Sequence, residues 1–312
     1  MKNGEKIKEV YRMLHHNICS VLEEADGKGV FEDHPWEKEV GSGLTCVMKG
    51  GDIIEKAGVN FSYVTGLVTE TMKSLFHQEA ETFLATGISS IIHASNPFVP
   101  TIHMNVRYFA LDDKAEWFGG GIDLTPMYVD PEEAAWFHNE IKAVCDKYNP
   151  LYYPDFKKWA DDYFFLPHRD ETRGIGGIFF DHQSPDQNND LDDWLKFTSD
   201  LAKLYPHMYA ELMAKNGSKP FGAEQKKWQK LRRGRYVEFN LMYDRGTRFG
   251  LASQGNIESI LISMPPEVDW DFNVQLQPGS EEEKTVAFLK KGIEWTNLKT
   301  QDARHKAQDL RS

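Results

Sequence analysis

The stretch TIHMNVRYFAL, Thr101–Leu111, decides the fold class of this chain. Read as a β-strand, it sends alternate side chains to opposite faces. One face carries Met104, Val106, Tyr108 and Ala110, and the other carries His103, Asn105, Arg107, Phe109 and Leu111. The apolar face must be buried. The polar trio His103, Asn105 and Arg107 then lines either solvent or a cavity. A guanidinium there suits a carboxylate, which it grips through two parallel hydrogen bonds.

Working outward, further strands are predicted at 89–94, 175–180, 235–243 and 259–264, with a glycine-rich hairpin or long loop at 41–58. Helices are predicted at 6–24, 62–83, 155–165, 191–204, 207–215 and 281–295, with Pro206 dividing two of them. Asp130-Pro131-Glu132-Glu133 opens another: an N-cap, proline at the first helical position, then acids facing the helix dipole. Strands cluster between helices rather than alternating with them. The fold class is therefore α+β with a mainly antiparallel sheet, read as one domain over residues 1–312.

Composition narrows the function. A hydrophobic fraction of 40% and a charged fraction of 27% are ordinary for a globular protein. A formal charge of -12 disfavours nucleic acid as a partner and requires any anionic ligand to find a local basic pocket. No apolar run approaches the roughly 18 residues of a membrane span. The opening, Met1 to Val10, carries acids and lacks an apolar core, so neither a secretory signal nor a transit peptide is expected. Cys19, Cys46 and Cys145 are odd in number and far apart, which points to a reducing, cytoplasmic setting.

Three more segments carry candidate chemistry. WFGGGIDLTP at 117–126 sets three glycines in a strand context and follows them with Asp123, either a buried carboxylate or a turn residue. DYFFLPHRDETRGIGGIFFD at 162–181 reads as a helix, a sharp turn bearing His168, and a buried strand. LRRGRYVEFNLMYDRGTRFGL at 231–251 combines a strand-like alternation with the turn Asp244-Arg245-Gly246-Thr247. His93, His103, His138 and His168 lie in or beside these segments without HExxH or HxH spacing, so a metal site is weakly signalled.

Together with GVNFS at 58–62, SNPFVPTIHMNVRYF at 95–109 and ESILISMPP at 258–266, these blocks resemble the aerobic, oxygen-dependent coproporphyrinogen oxidases. The resemblance implies a large flat antiparallel sheet with helices on both faces, and a homodimer. It implies that coproporphyrinogen III loses two propionates as vinyl groups, with molecular oxygen as co-substrate and no organic cofactor. His103 matches a proposed proton donor. Arg107, Asp123, Asp244 and Arg245 match residues implicated in binding or turnover. Ser89, Asn105, Val106 and Arg107 match substrate contacts, as does the run Gln254-Gly255-Asn256, where Asn256 replaces a usual basic residue. His93, His103, His138 and His168 match positions given as metal-binding in bacterial members. A divalent metal is thereby admitted but not expected to be required. The rival readings are a metal-dependent oxygenase or hydrolase and a non-catalytic tetrapyrrole carrier.

Overall fold

A computed structural model describes residues 3–68, 73, 80–112, 114–187, 189–252 and 256–297. Helix α1 (Gly4–Asp26) leads into strands β1 (Glu32–Lys38), β2 (Gly41–Lys49), β3 (Ile54–Leu67), β4 (Thr82–Ala94), β5 (Thr101–Leu111) and β6 (Ala115–Thr125). Helices α2 (Pro131–Tyr148) and α3 (Tyr152–Tyr163) follow. Then come the short strands β7 (Phe165–Leu166) and β8 (Glu171–Thr172), and β9 (Gly176–Gln183). The chain continues through α4 (Leu191–Asn216), α5 (Ala223–Met242), α6 (Arg245–Ala252), α7 (Ile257–Leu261) and α8 (Glu281–Ala287).

The main sheet has seven strands in the order β1-β2-β3-β4-β5-β6-β9, every neighbour antiparallel. Strict alternation makes its two faces chemically different. One is apolar: Val59, Ile88, Met104, Val106, Tyr108 and Ile122 are buried against α1, α2 and α4. Helix α1 supplies Ile7, Tyr11, Leu14, Ile18 and Leu22 at three- and four-residue steps. It ends where Gly27 enters the left-handed region at φ 79° and its N–H caps the Glu23 carbonyl. Helix α2 starts as expected, with the Asp130 side chain accepting from the Glu132 and Glu133 amides.

The opposite face is polar and carries His103, Asn105 and Arg107. Helix α5 and the chain through 257–264 cover it. Tyr236 meets His93 edge-on, Ser259 bonds Thr45 and Asn60, and the Ser263 carbonyl bonds His93. Helix α3 runs along β9 and touches both faces, stacking Phe156 on Phe180 and Tyr163 on Phe179. The fold is α+β, with helices on both sides of one antiparallel sheet.

Several expected elements differ. The segment read as a strand at 235–243 is the end of helix α5, and 259–264 holds helix α7 and a turn. In α5 the buried positions include Trp228, Arg232, Tyr236, Phe239 and Asn240, a helical stripe disguised because charged and polar residues occupy it. Residues 62–67 belong to β3 and 82–83 to β4, not to a helix; 69–72 and 74–79 lie outside the described residues. The glycine-rich 41–58 segment is the β2–β3 hairpin. Helix α4 runs unbroken through Pro206. An interior proline costs about 3 kcal/mol, but Tyr205, Met208 and Tyr209 are buried beside it, and the Tyr205 hydroxyl bonds Ser90 at 2.9 Å. The last helix stops at Ala287, and Gly292 takes φ 79° soon after.

Candidate functional site

Register brings the expected residues together. His103 faces Asp123 across the β5–β6 pair, Asn105 faces Gly121, and Arg107 faces Gly119. On the other flank Ser89 of β4 lies opposite Asn105, and Asn60 of β3 lies opposite Ser89. Asn60, Ser89, Asn105 and Gly121 thus form one polar row across four strands. Val106 shares the strand, but its side chain is buried in the opposite, apolar face.

The triple glycine serves both faces. A Cβ on Gly119 would lie 2.5 Å from Asp181 Oδ1 and 2.9 Å from Arg107 Nε, on the site side. A Cβ on Gly120 would lie 2.8 Å from the Phe180 ring, on the core side. The room at Gly119 is taken by an ion pair: Arg107 Nη2 meets Asp181 Oδ2 at 2.9 Å, and Arg107 Nη1 donates to Asn105 Oδ1 at 2.8 Å. The Arg107 side chain keeps 34% of its exposure, so its charge is both partnered and accessible.

Asp123 is a different kind of residue, only 2% exposed. Arg173 Nη2 donates to its two oxygens at 2.7 and 2.8 Å, and Nε donates at 3.2 Å. His103 Nδ1 lies 3.0 Å from Oδ1. Burial alone would raise this carboxyl. The Arg173 guanidinium and the His103 hydrogen bond outweigh burial and hold it below the ordinary carboxylate range. An ionised carboxylate only accepts, so the proton of His103 sits on Nδ1, leaving Nε2 as the basic nitrogen. Arg173 is held in turn by Asn240 at 2.7 Å and by the faces of Phe164, Tyr236 and Phe239, each within 4.7 Å. The arrangement orients one imidazole from behind with a buried, neutralised carboxylate.

Asp244 and Arg245 lie at the start of α6. Asp244 Oδ2 caps that helix at the Thr247 amide, 2.6 Å away, and Oδ1 accepts from the Tyr163 hydroxyl at 2.8 Å. The Arg245 guanidinium lies 5.7 Å from the Tyr163 ring, and that ring stacks on Phe179, the register partner of Gly121. Both residues therefore reach the β6–β9 end of the site through aromatic contacts. Asn256 stands at the N-terminus of α7 without a side-chain cap bond, and Gln254 and Gly255 lie outside the described residues.

The four histidines do not gather. His93 is bonded to Thr101 and Ser263, His138 to Ile175 and Tyr153, and His168 to Tyr243 and Glu238. Burial pushes both His93 and His138 down to about 3, with the Arg233 charge adding to the effect on His93. Of the four, His103 alone meets Asp123. Arg173, Asp181 and Asn240 were not singled out from sequence. The need of a buried Asp123 for a cation was the available signal, and Arg173 stands just ahead of a predicted buried strand.

Comparison with known proteins gives the family. Residues 6–295 match the family model described as Coproporphyrinogen III oxidase. The chain is 45% identical over 298 residues to the oxygen-dependent coproporphyrinogen-III oxidase of Drosophila melanogaster, covering 90% of this chain and 75% of that one. Identity is 43% over 299 residues to the protein of that name in Francisella tularensis, covering 91% and 96%. It is 42% over 311 residues to the chloroplastic one of Glycine max, covering 93% and 79%. The chain belongs to the coproporphyrinogen III oxidase family.

Proposed function

We propose that this chain catalyses the oxygen-dependent oxidative decarboxylation of two propionates of coproporphyrinogen III to vinyl groups, giving protoporphyrinogen IX in haem biosynthesis. The carrying observation is one polar sheet face that holds an oriented imidazole, an accessible guanidinium and a glycine-flattened strip side by side. In each step a propionate leaves its carboxyl as CO2 and gives up a hydride from the carbon next to the ring. Oxygen takes that hydride and a proton and departs as hydrogen peroxide. An electron-rich pyrrole that has lost its N–H proton can supply the electrons, so the reading needs no organic cofactor. His103 is the residue placed to accept or return that proton, with Asp123 and Arg173 holding its ring. Arg107 suits a propionate, which must share the guanidinium with Asp181 or displace it. Ser89 and Asn105 offer neutral hydrogen bonds in the same row, each contributing about 0.5–1.5 kcal/mol.

The test is incubation with coproporphyrinogen III in air, with and without chelator, following protoporphyrin fluorescence after oxidation. Turnover is expected in both arms, since His93, His138 and His168 are each engaged separately. Activity lost on chelation while the melting temperature stays unchanged, and restored by one metal, would favour the metal-dependent reading. Binding of product without oxygen consumption would favour the carrier. In the same assay Arg107→Ala should raise KM and lower kcat together.

The reading also carries a homodimer. Its interface is proposed on Arg235–Met264, where Leu241, Met242, Leu251 and Ile257 are exposed. Sedimentation at micromolar concentration should show a dimer, and a monomer alone would contradict it. No described helix is long and apolar enough to cross a membrane.

A further inference from the structure

A second cluster of reactive side chains lies on the far side of the sheet. His15 and Cys19 are one turn apart on α1 and meet Cys46 of β2. All three are buried, and one ligand atom from each lies within 4.8 Å of the others. His15 Nε2 sits 3.1 Å from the Val59 carbonyl. A carbonyl only accepts, so Nε2 carries the ring proton and Nδ1 keeps a bare lone pair. Nδ1 is buried without a well-formed hydrogen bond, and the Cys46 thiol lies near the ring. A metal ion would satisfy that lone pair better than a thiol does. An N–H bonded to a backbone carbonyl is also the usual outer support of a metal-ligating histidine. Cys46 Sγ donates to Asp33 Oδ1 at 3.0 Å, and Asp33 is exposed on edge strand β1. The cluster therefore has an oxygen donor beside it, on the solvent side.

We propose that His15, Cys19 and Cys46 form a structural site for a zinc-class thiophilic cation, with Asp33 or water completing the shell. Two thiolates, one imidazole and one oxygen suit a tetrahedral d10 ion. Cys46 belongs to the apolar face of the sheet, three strands from β5, so the ion would pin α1 to β2 without entering the polar face around His103. The site is independent of His93, His138 and His168.

The folded, reduced full chain, stripped by chelator, is dialysed against Zn2+ and its metal content measured. Co2+ in place of zinc provides a second readout through its thiolate-to-metal absorption in the near ultraviolet. One equivalent per chain and a thiolate–cobalt band are expected. Cys46→Ala should weaken binding by about a hundredfold or more. Cys145→Ala removes the buried thiol of α2 outside the cluster and should leave binding unchanged. If Cys46→Ala fails to fold, the cobalt spectrum of the parent chain still decides. A parent chain that retains no zinc and shows no thiolate band overturns the proposal. So does a Cys19–Cys46 disulfide that persists in the reduced preparation.

Discussion

Asp123→Asn is expected to lower kcat by about 10²-fold with a much smaller change in KM. The carboxylate now forces the His103 proton onto Nδ1, because it can only accept. An asparagine keeps the shape and can still present its oxygen to Arg173. Its NH2 then faces His103, so Nδ1 must accept and the ring proton moves to Nε2. The nitrogen left for the substrate changes from acceptor to donor, and the catalytic cycle starts from the wrong tautomer. Asp123 is 2% exposed and bound on both oxygens, so we propose that it positions His103 rather than touching the substrate. Kinetics and melting must be measured on the same preparation. A folded variant with near-normal kcat would remove His103 orientation from the mechanism. Activity that falls only in proportion to folded fraction would make the pair purely structural.

Arg173→Met is expected to destabilise the fold by about 3–5 kcal/mol, the usual cost of leaving one partner of a buried ion pair alone. Arg173 and Asp123 are each 2% exposed. Removing the cation leaves Asp123 with only the His103 hydrogen bond and takes from Asn240 the Arg173 donor. Three aromatic rings also lose the guanidinium they surround. Methionine fills much of the volume, so the loss should be mainly electrostatic. Pairing Arg173→Met with Asp123→Leu should recover part of the stability, since an apolar pair removes the stranded charge. Chemical denaturation of the single and double variants measures both. Equal stability of Arg173→Met and parent would show that water reaches Asp123.

Strand β5 was legible because its alternation is strict and its two faces differ in chemistry. The same rule misread 235–243, where Val237, Phe239, Leu241 and Tyr243 alternate within a helix. Leu241 is in fact 48% exposed, while Arg232 and Arg233 lie in the buried stripe. Hydrophobic periodicity fails where buried positions are charged, and they are charged here because Glu171 and Glu55 pair with them. The polar trio could be placed on one face from spacing alone. Its backing could not, because Arg173 arrives from 50 residues beyond Asp123 through the β6–β9 pairing. Asp244-Arg245-Gly246-Thr247 reads as a turn, but only Asp244 stands outside helix α6: Arg245–Thr247 open that helix, and the Asp244 side chain caps it at the Thr247 amide.

Two of the buried imidazoles, those of His93 and His138, are expected to set the acid limit of the fold. His93 and His138 are held near 3 when folded, against 6.5 in a free chain. Below pH 6.5 the unfolded chain therefore takes up protons that the folded chain refuses. Proton uptake on unfolding means that stability rises with pH, so acidification drains it. The contribution is complete above pH 6.5 and is lost progressively toward pH 3, by up to about 1.4 kcal/mol per pH unit for each ring. Asp123 behaves oppositely in range: its folded carboxyl lies below 3.8, so its share survives until stronger acid. Melting temperature should hold between pH 7 and about 6.5 and fall from there down to pH 4. A flat profile would mean that neither ring is kept from water. Acid unfolding of this chain is thus expected to begin at histidines outside the proposed chemistry, while the Asp123–Arg173 pair is still intact.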